Sequence, residues 1–192
     1  MAPTAPIQVE IWSDLVCPWC YLGRARFMAA IERFEHGEAV VVAHRAFELD
    51  PTTPKSETVP VRDHLAAKFG STDRVLAGEQ RLTDLTAEVG LAYRVDRLHG
   101  NTFDAHRLVA YGAERGLGDE TVAALYHANF AEGRSIFDVD ALVSVGLEVG
   151  FDSAETIEML ASDAYAERVR EDERLASGLG IQGVPFFVID RT

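Results

Sequence analysis

The chain has 192 residues and a mass of 21.1 kDa, which fits one domain or one domain with a sizeable insertion. Apolar residues make up 47% and charged residues 26%, a composition typical of globular proteins that excludes disorder as the main state. The net charge of −13 makes nucleic acids and anionic membranes poor partners. Only two cysteines are present, Cys17 and Cys20, so a scaffold held by several disulfides is excluded.

The N-terminal segment, residues 1–6, lacks the basic and apolar regions of a signal peptide. No apolar run approaches the roughly 18 residues needed to span a bilayer. We therefore expect a cytoplasmic protein, although a mature form whose signal peptide has been removed would look the same.

The first part of the chain predicts a β-α-β unit. Apolar residues alternate over 7–12 and predict a strand, and Pro18 suits the first turn of a helix that ends near Gly37. Residues 39–47 are rich in β-branched side chains and predict a short buried strand. This order predicts two parallel strands joined by a right-handed crossover.

The middle of the chain, residues 56–179, predicts helices. A further helical region opens at Asp152, where Glu155 stands at the capping-box position, and a break is expected near Ser162. Residues 186–189 then predict a late strand in the same sheet, so the fold class is α/β. Four earlier segments with helical spacing each end at a glycine: Gly90, Gly116, Gly133 and Gly150.

The two cysteines form the motif Cys17-Pro18-Trp19-Cys20 between the first predicted strand and the helix. At a helix N-terminus, the macrodipole and unpaired N–H groups stabilise a thiolate, which is the nucleophile in thiol exchange. Cys20 lies one turn later and is placed to attack a mixed disulfide on Cys17. The spacing therefore predicts a pair that cycles between dithiol and disulfide, with Cys17 attacking and Cys20 resolving.

Two other interpretations of this motif are weaker. The first is a pair of inert, partly buried cysteines, but two cysteines placed at random would lie three positions apart in only roughly one case in a hundred. A zinc site would need two more ligands, and His99 and His106 form no recognised second half. We therefore expect no metal and no tightly bound cofactor.

The longer motif Cys-Pro-Trp-Cys-Tyr-x-Gly, at residues 17–23, resembles the DsbA family of thioredoxin-fold oxidoreductases and, in particular, its FrnE-like branch. That branch groups with 2-hydroxychromene-2-carboxylate isomerases and kappa-class glutathione transferases. The resemblance runs over nearly the whole chain through three further motifs: Phe47-x-Leu49-x-Pro51, Asn101-Thr102-x-x-Ala105-His106-Arg107-Leu108 and Gly180-Ile181-x-Gly183-Val184-Pro185-Phe186-Phe187.

The resemblance implies a thioredoxin-like fold with a large all-helical insertion between the second and third strands. Residues 1–55 and 180–192 would form the thioredoxin-like domain, and residues 56–179 the insertion. It also implies a cis peptide bond between Val184 and Pro185, where the backbone of Val184 would pair with an extended substrate. Without the resemblance, a trans proline at the start of an edge strand would fit equally well.

The predicted substrate-binding residues are Pro18, Trp19, Val184, Pro185 and His106. Trp19 offers an aromatic surface to a substrate or packs against the helical insertion. His106 starts an amphipathic helix; it either faces the thiols or is held by backbone groups.

Two further polar residues have alternative roles. Asp14, three residues before Cys17, is either a carboxylate that raises the pKa of that thiol or a turn residue. Asn101 is expected in a loop or at a helix cap.

The end of the sequence departs from the resemblance. A thioredoxin fold normally continues past the strand after the cis-proline with a hairpin partner strand and a closing helix, whereas this sequence stops at Thr192. We expect the free edge of the strand at 186–189 to be covered by residues beyond 192 or by another chain, as in a homodimer.

The leading functional hypothesis is a thiol–disulfide oxidoreductase acting on a thiol- or disulfide-containing protein or small molecule, with glutathione as a co-substrate. The second is a glutathione-dependent isomerase or transferase acting on a small aromatic substrate. The third is a module that binds extended peptides without catalysis, which would keep its binding after both cysteines are replaced. No nucleic acid or membrane partner is expected.

Overall fold

The computed structural model describes residues 6–191. Its helices and strands follow the predicted order, with additions in the middle of the chain. In chain order the elements are β1 (Ile7–Ser13), α1 (Pro18–Arg33), a 3-10 turn (Gly37–Ala39), β2 (Val40–Ala46), β3 (Val59–Pro60), α2 (Val61–Phe69), α3 (Thr72–Glu88), β4 (Leu98–His99), α4 (Phe103–Glu114), α5 (Gly118–Tyr126), a π-helical turn (His127–Glu132), α6 (Val139–Val149), α7 (Ser153–Ala161), α8 (Ala166–Gly178) and β5 (Phe186–Ile189).

The main sheet has three strands in the order β2-β1-β5. β2 runs parallel to β1, with Val40 opposite Ile7, and β5 runs antiparallel to β1, with Phe186 opposite Trp12. The predicted pair of parallel strands around one helix, and the entry of the late strand into the same sheet, are confirmed.

The prediction that the second strand is buried is wrong. β2 ends at the buried Ala46, but its other residues are half-buried or exposed, and Val41 is 46% exposed. The reason is its position at the edge of the sheet, where α4, α5 and α8 pack against it but no further strand among the described residues covers it.

Glycines end the middle helices, as predicted. Gly133 follows the π-helical turn and Gly150 follows α6, with φ angles of +71° and +102°. These are left-handed conformations that glycine adopts at little cost because it has no Cβ atom.

The predicted helix start at Asp152 and the break near Ser162 are confirmed, since α7 ends at Ala161 and α8 begins four residues after Ser162. The Asp152 carboxylate accepts hydrogen bonds from two backbone N–H groups of the first turn. Among the described residues no hydrogen bond joins the Glu155 carboxylate to the N–H of Asp152, so the second half of the capping box is not formed there; the carboxylate accepts from the Tyr111 hydroxyl at 3.1 Å. None of the described helices is both long and apolar enough to cross a membrane.

Contrary to the prediction, the inserted region is not all helical, because it also contains a short antiparallel pair of strands. Val59 of β3 lies opposite His99 of β4, and the backbone N–H of Val61 donates to the carbonyl of Arg97 at 3.0 Å. Because α2 follows β3 directly, this pairing ties the start of α2 to the segment that precedes α4.

The largest buried apolar cluster joins the inserted helices to the start of α1. The ring of Tyr21 stacks on that of Phe130, with centroids 5.0 Å apart. Cys17 and Cys20 are buried in this cluster, so the motif lies where the helices meet the sheet. The division of the chain into two domains at residues 55 and 180 stays a prediction. Other members include Leu15, Leu108, Leu125, Tyr126, Ile136 and Leu142.

α8 is tied across β1 and β2 by polar contacts. The indole N–H of the fully buried Trp12 donates to the backbone carbonyl of Asp172 at 3.0 Å. Arg45 bridges the carboxylates of Glu10 and Asp172. These contacts fix the sheet that carries the cysteine motif.

β5 forms the other edge of the sheet. Over residues 6–191, no strand pairs along its far side, and Phe186 is 41% exposed. What covers this edge stays a prediction.

Candidate active site

Cys17 lies at the N-terminus of α1, as predicted. A turn follows β1, in which the backbone N–H of Cys17 donates to the carbonyl of Asp14 at 3.1 Å. Pro18 occupies the first helical position, where its missing N–H costs nothing, and the N–H of Cys20 donates to the carbonyl of Cys17 at 3.0 Å. The strand, turn and helix therefore place Cys17 where helix N–H groups and the macrodipole favour a thiolate.

The two thiols differ in their environments although both are buried, with exposures of 4% for Cys17 and 1% for Cys20. The pKa of Cys17 is lowered, mainly by a hydrogen bond from the Cys20 thiol and also by the backbone N–H groups of Cys20 and Trp19. Burial and the nearby Asp14 carboxylate act in the opposite direction, but they do not cancel this effect. Burial raises the pKa of Cys20 well above its usual value. Cys17 is thus the more easily ionised thiol.

Val184 and Pro185 come to lie beside this helix start, as the sequence resemblance implied. The peptide bond between them is cis. The Cys17 thiol lies 3.7 Å from the Val184 carbonyl oxygen, and a Cβ atom added at Gly23 would stand 3.0 Å from Cγ of Pro185. Gly23 therefore leaves the room that Pro185 needs to approach α1.

Cys17, Pro18 and Trp19 open onto a cavity of about 520 Å³. Trp19 is 44% exposed, so it offers its ring to this space rather than to the core. The guanidinium of Arg81 on α3 lies 5.9 Å from the centre of the Trp19 ring. The other apolar walls come from α2, α3 and the segment after β2: Leu49, Val61, Leu65, Phe69, Val75 and Leu82.

The cavity wall is positively charged although the chain is strongly acidic. Its lining contains two carboxylates, Asp50 and Glu79, and Glu79 is paired with the buried Arg97 at 2.8 Å. A positive wall on an acidic molecule attracts small anions to the space beside the Cys17 thiol. The basic side chains that line it are Lys68, Arg74, Arg81 and Arg97.

Asp14 is a buried turn residue that ties three segments together. Its carboxylate accepts a hydrogen bond from the backbone N–H of Leu49 at 2.7 Å, and its backbone carbonyl accepts from the Tyr126 hydroxyl at 3.3 Å. Nε2 of His106 lies 3.5 Å from the Asp14 carboxylate. Both predicted roles of Asp14 are present, since it organises the turn and raises the pKa of Cys17.

His106 does not lie where a substrate-binding residue was predicted. It is 4% exposed and faces Asp14 rather than the open space at Cys17. It lines a second cavity of about 400 Å³ together with His44 and Arg45 of β2. The reason is the direction of α4, whose first turn packs towards the end of β1.

Asn101 lies in the loop, one of its two predicted places, directly before Thr102, the N-cap residue of α4. Its side-chain oxygen accepts from the backbone N–H of Phe103, the first residue of α4, at 3.0 Å. Its amide donates to the carbonyl of Thr53 at 2.9 Å. It therefore fixes the loop after β2 against the start of α4.

Sequence reasoning missed three residues that the structure brings together in the cavity wall. His64 and His99 stack with ring centroids 3.5 Å apart, and Asp50 lies beside them. Burial lowers the pKa of both histidines, that of His99 to about 4. No spacing in the sequence signals this cluster, because its members come from α2, β4 and the loop after β2.

Comparison with known proteins gives a family match and several structural relatives. The family model for the DSBA-like thioredoxin domain matches residues 8–192. The crystal structure of a probable DsbA oxidoreductase, SCO1869 from Streptomyces coelicolor, is 49% identical, with a TM-score of 0.93 over 97% of this chain and 81% of that chain.

Two more distant structures share the fold. A 2-hydroxychromene-2-carboxylate isomerase is 18% identical, with a TM-score of 0.72 over 94% of this chain and 84% of its own. The cytosolic disulfide reductase DsbM from Pseudomonas aeruginosa, solved with GSH, is 22% identical, with a TM-score of 0.66 over 96% of this chain and 86% of its own. At these identities the likeness is one of fold.

Proposed function

Because this chain belongs to the family of DSBA-like thioredoxin domains, we propose that it is a thiol–disulfide oxidoreductase. The predicted DsbA-like family and thioredoxin-like fold are confirmed by the match. The observation that carries the proposed activity is the difference between the two thiols. Cys17 has a lowered pKa and lines the cavity, whereas Cys20 has a raised pKa and lies outside the cavity wall.

We propose that the reaction passes through a mixed disulfide on Cys17. The Cys17 thiolate attacks one sulfur of a substrate disulfide, forms the mixed disulfide and releases the other sulfur as a thiolate, which takes up a proton. Cys20 then gives up its proton and attacks the Cys17 sulfur, so that the substrate leaves as a dithiol. The two electrons gained by the substrate come from the Cys17 and Cys20 thiols, which are oxidised to a disulfide, and the reverse sequence oxidises a substrate dithiol.

We propose that Pro18, Trp19, Val184 and Pro185 bind the substrate. Trp19 supplies an exposed aromatic face beside Cys17, and the Val184 backbone lies within 3.7 Å of the thiol. A substrate segment lying along Val184 would bring its sulfur to Cys17 by backbone hydrogen bonds. His106 is left out of this role because it faces Asp14.

A glutathione-dependent isomerase or transferase is the second candidate. The observation that favours it is the 520 Å³ cavity, which has apolar walls, a positive charge and the size of a small-molecule site. The fold is shared with a 2-hydroxychromene-2-carboxylate isomerase and with a disulfide reductase solved with GSH. We propose glutathione as a co-substrate in either reaction, because its carboxylates would pair with Lys68, Arg74 or Arg81.

We also propose that the protein works in the cytoplasm. Turnover of a Cys17–Cys20 disulfide there would be supported by a reducing thiol pool. The disulfide reductase with which it shares its fold is described as cytosolic.

A redox titration with two matched cysteine variants tests the first candidate. The wild type, equilibrated in glutathione buffers and alkylated, should show one dithiol-to-disulfide transition by mass, at a potential between roughly −120 and −270 mV. Cys17→Ser should abolish reduction of glutathione disulfide. Cys20→Ser should accumulate a mixed disulfide with glutathione on Cys17.

Unchanged turnover in Cys17→Ser, with the variant shown to be folded by its thermal melting curve, would refute the oxidoreductase proposal. If glutathione binds while both thiols stay reduced across the whole range of potentials, the isomerase or transferase candidate replaces it.

A further inference from the structure

Three side chains distant in sequence meet on the wall of the cavity at Cys17. Asp50, His64 and His99 each offer one donor atom, and these atoms all lie within 4.8 Å of one another. We propose that they form a binding site for a divalent transition-metal cation, with Zn²⁺ as its representative. The site is independent of the proposed redox activity, because neither cysteine is one of its three ligands.

A second observation points to a ligand at the same place. His99 is 7% exposed, and its Nε2 atom is fully buried without a hydrogen-bond partner. Most buried polar atoms in proteins have a partner, and of the buried side-chain atoms that lack one among the described residues, this nitrogen belongs to the Asp50, His64 and His99 cluster. The lone pair of a neutral imidazole nitrogen is a preferred donor to Zn²⁺ and related ions.

The donor set also matches the chemistry of such ions. Two imidazoles and one carboxylate, with a fourth position open to a cavity, are the ligands of catalytic rather than structural zinc sites. Here the fourth position would face the space that Cys17, Pro18 and Trp19 line. A bound cation would therefore stand where small ligands reach the thiol.

Coordination requires a defined movement of two side chains. In a tetrahedral zinc site with N and O ligands at about 2.0–2.1 Å, the donor atoms lie roughly 3.3 Å from one another. The donor atoms of Asp50, His64 and His99 lie up to 4.8 Å apart, so they must come closer together. His64 and Asp50 are half-buried and line the cavity, whereas His99 is buried. The rings of His64 and His99 are now stacked with an interplanar angle of 16°, so binding turns the His64 ring out of this stack.

The test measures binding of Zn²⁺ alone to the full chain in a Cys17→Ser/Cys20→Ser background, which removes the thiols as competing ligands. Competition with a chromophoric chelator should show one Zn²⁺ per chain. Asp50→Asn, His64→Ala and His99→Ala should each weaken binding by at least about tenfold. Zn²⁺ should also raise the melting temperature of the background protein but not that of the three variants.

His127→Ala is the matched control, because His127 is an exposed histidine outside the cluster whose partner is Glu132. It should leave Zn²⁺ affinity unchanged. Asp50→Asn keeps the side-chain oxygen that accepts from Thr52, so it is expected to fold even if His99→Ala does not. The proposal is overturned if the cysteine-free background binds no stoichiometric Zn²⁺, or if Asp50→Asn and His64→Ala bind it as tightly as His127→Ala does.

Discussion

The hydrogen bond from the Cys20 thiol is the largest influence that lowers the pKa of Cys17. Replacing Cys20 with alanine removes the donor, whereas replacing it with serine keeps an O–H group at the same position. We therefore expect the pKa of Cys17 to rise in Cys20→Ala and to stay closer to the wild-type value in Cys20→Ser.

The size of the shift follows from the strength of the lost bond. A hydrogen bond to a charged acceptor contributes about 1.5–3 kcal/mol. One pKa unit corresponds to about 1.4 kcal/mol, so the pKa of Cys17 should rise by about one to two units in Cys20→Ala. The N–H groups of Cys20 and Trp19 remain in both variants, since they belong to the backbone of α1.

The pKa is measured from the rate of Cys17 alkylation as a function of pH, or from the ultraviolet absorbance of the thiolate. Each variant contains a single cysteine, so the signal belongs to Cys17 alone. Equal pKa values in the alanine and serine variants would refute the reasoning, because the donor would then make no difference to the thiolate.

Three further changes test the packing and charge around the site. Glu79→Leu leaves the buried Arg97 without its carboxylate and should lower the free energy of unfolding, measured by urea titration, by about 3–5 kcal/mol. The double variant Glu79→Leu/Arg97→Met should recover most of that loss, and equal stability of the single and double variants would contradict this prediction. Burial raises the pKa of Glu48 from 4.5 to about 7, so the folded state holds a proton that the unfolded state loses, and stability should fall as pH rises through that interval. Glu48→Gln should remove this decline, and a constant difference between the two stability curves from pH 4.5 to 7 would count against it. A Cβ atom at Gly112 would collide with Oγ1 of Thr121, so Gly112→Ala should cost about 1–3 kcal/mol of unfolding free energy. Gly78→Ala, in open space on α3, should instead gain about 0.8–1 kcal/mol, and similar melting temperatures for the two variants would refute the packing argument.

The local part of the site could be predicted from neighbouring residues in the chain. A strand pattern, a turn, two cysteines one helical turn apart and a proline at the first helical position are all contained in residues 7–20, and the structure has β1, the turn and α1 there. Each of these features depends on the backbone preferences of neighbouring residues. Helix ends at Gly133 and Gly150 were predictable for the same reason.

The surroundings of Cys17 depend on contacts between residues that are distant in the sequence. His106 looked like a site residue because of its motif, yet the direction of α4 turns it towards Asp14. The burial of β2 was overestimated because an apolar strand has the same composition at the edge of a sheet as in its centre.

The cavity wall is the clearest case of a feature that depends on tertiary contacts and not on neighbouring residues. Asp50, His64 and His99 come from three separate segments, and the pairing of β3 with β4 brings α2, which carries His64, beside His99. Such contacts arise from the packing of whole elements, which depends on the summed burial of many side chains rather than on the residues next to each one. The residues next to each other in the sequence therefore account for the position of Cys17 at a helix start, whereas contacts between distant elements account for the charge and shape of the cavity that it lines.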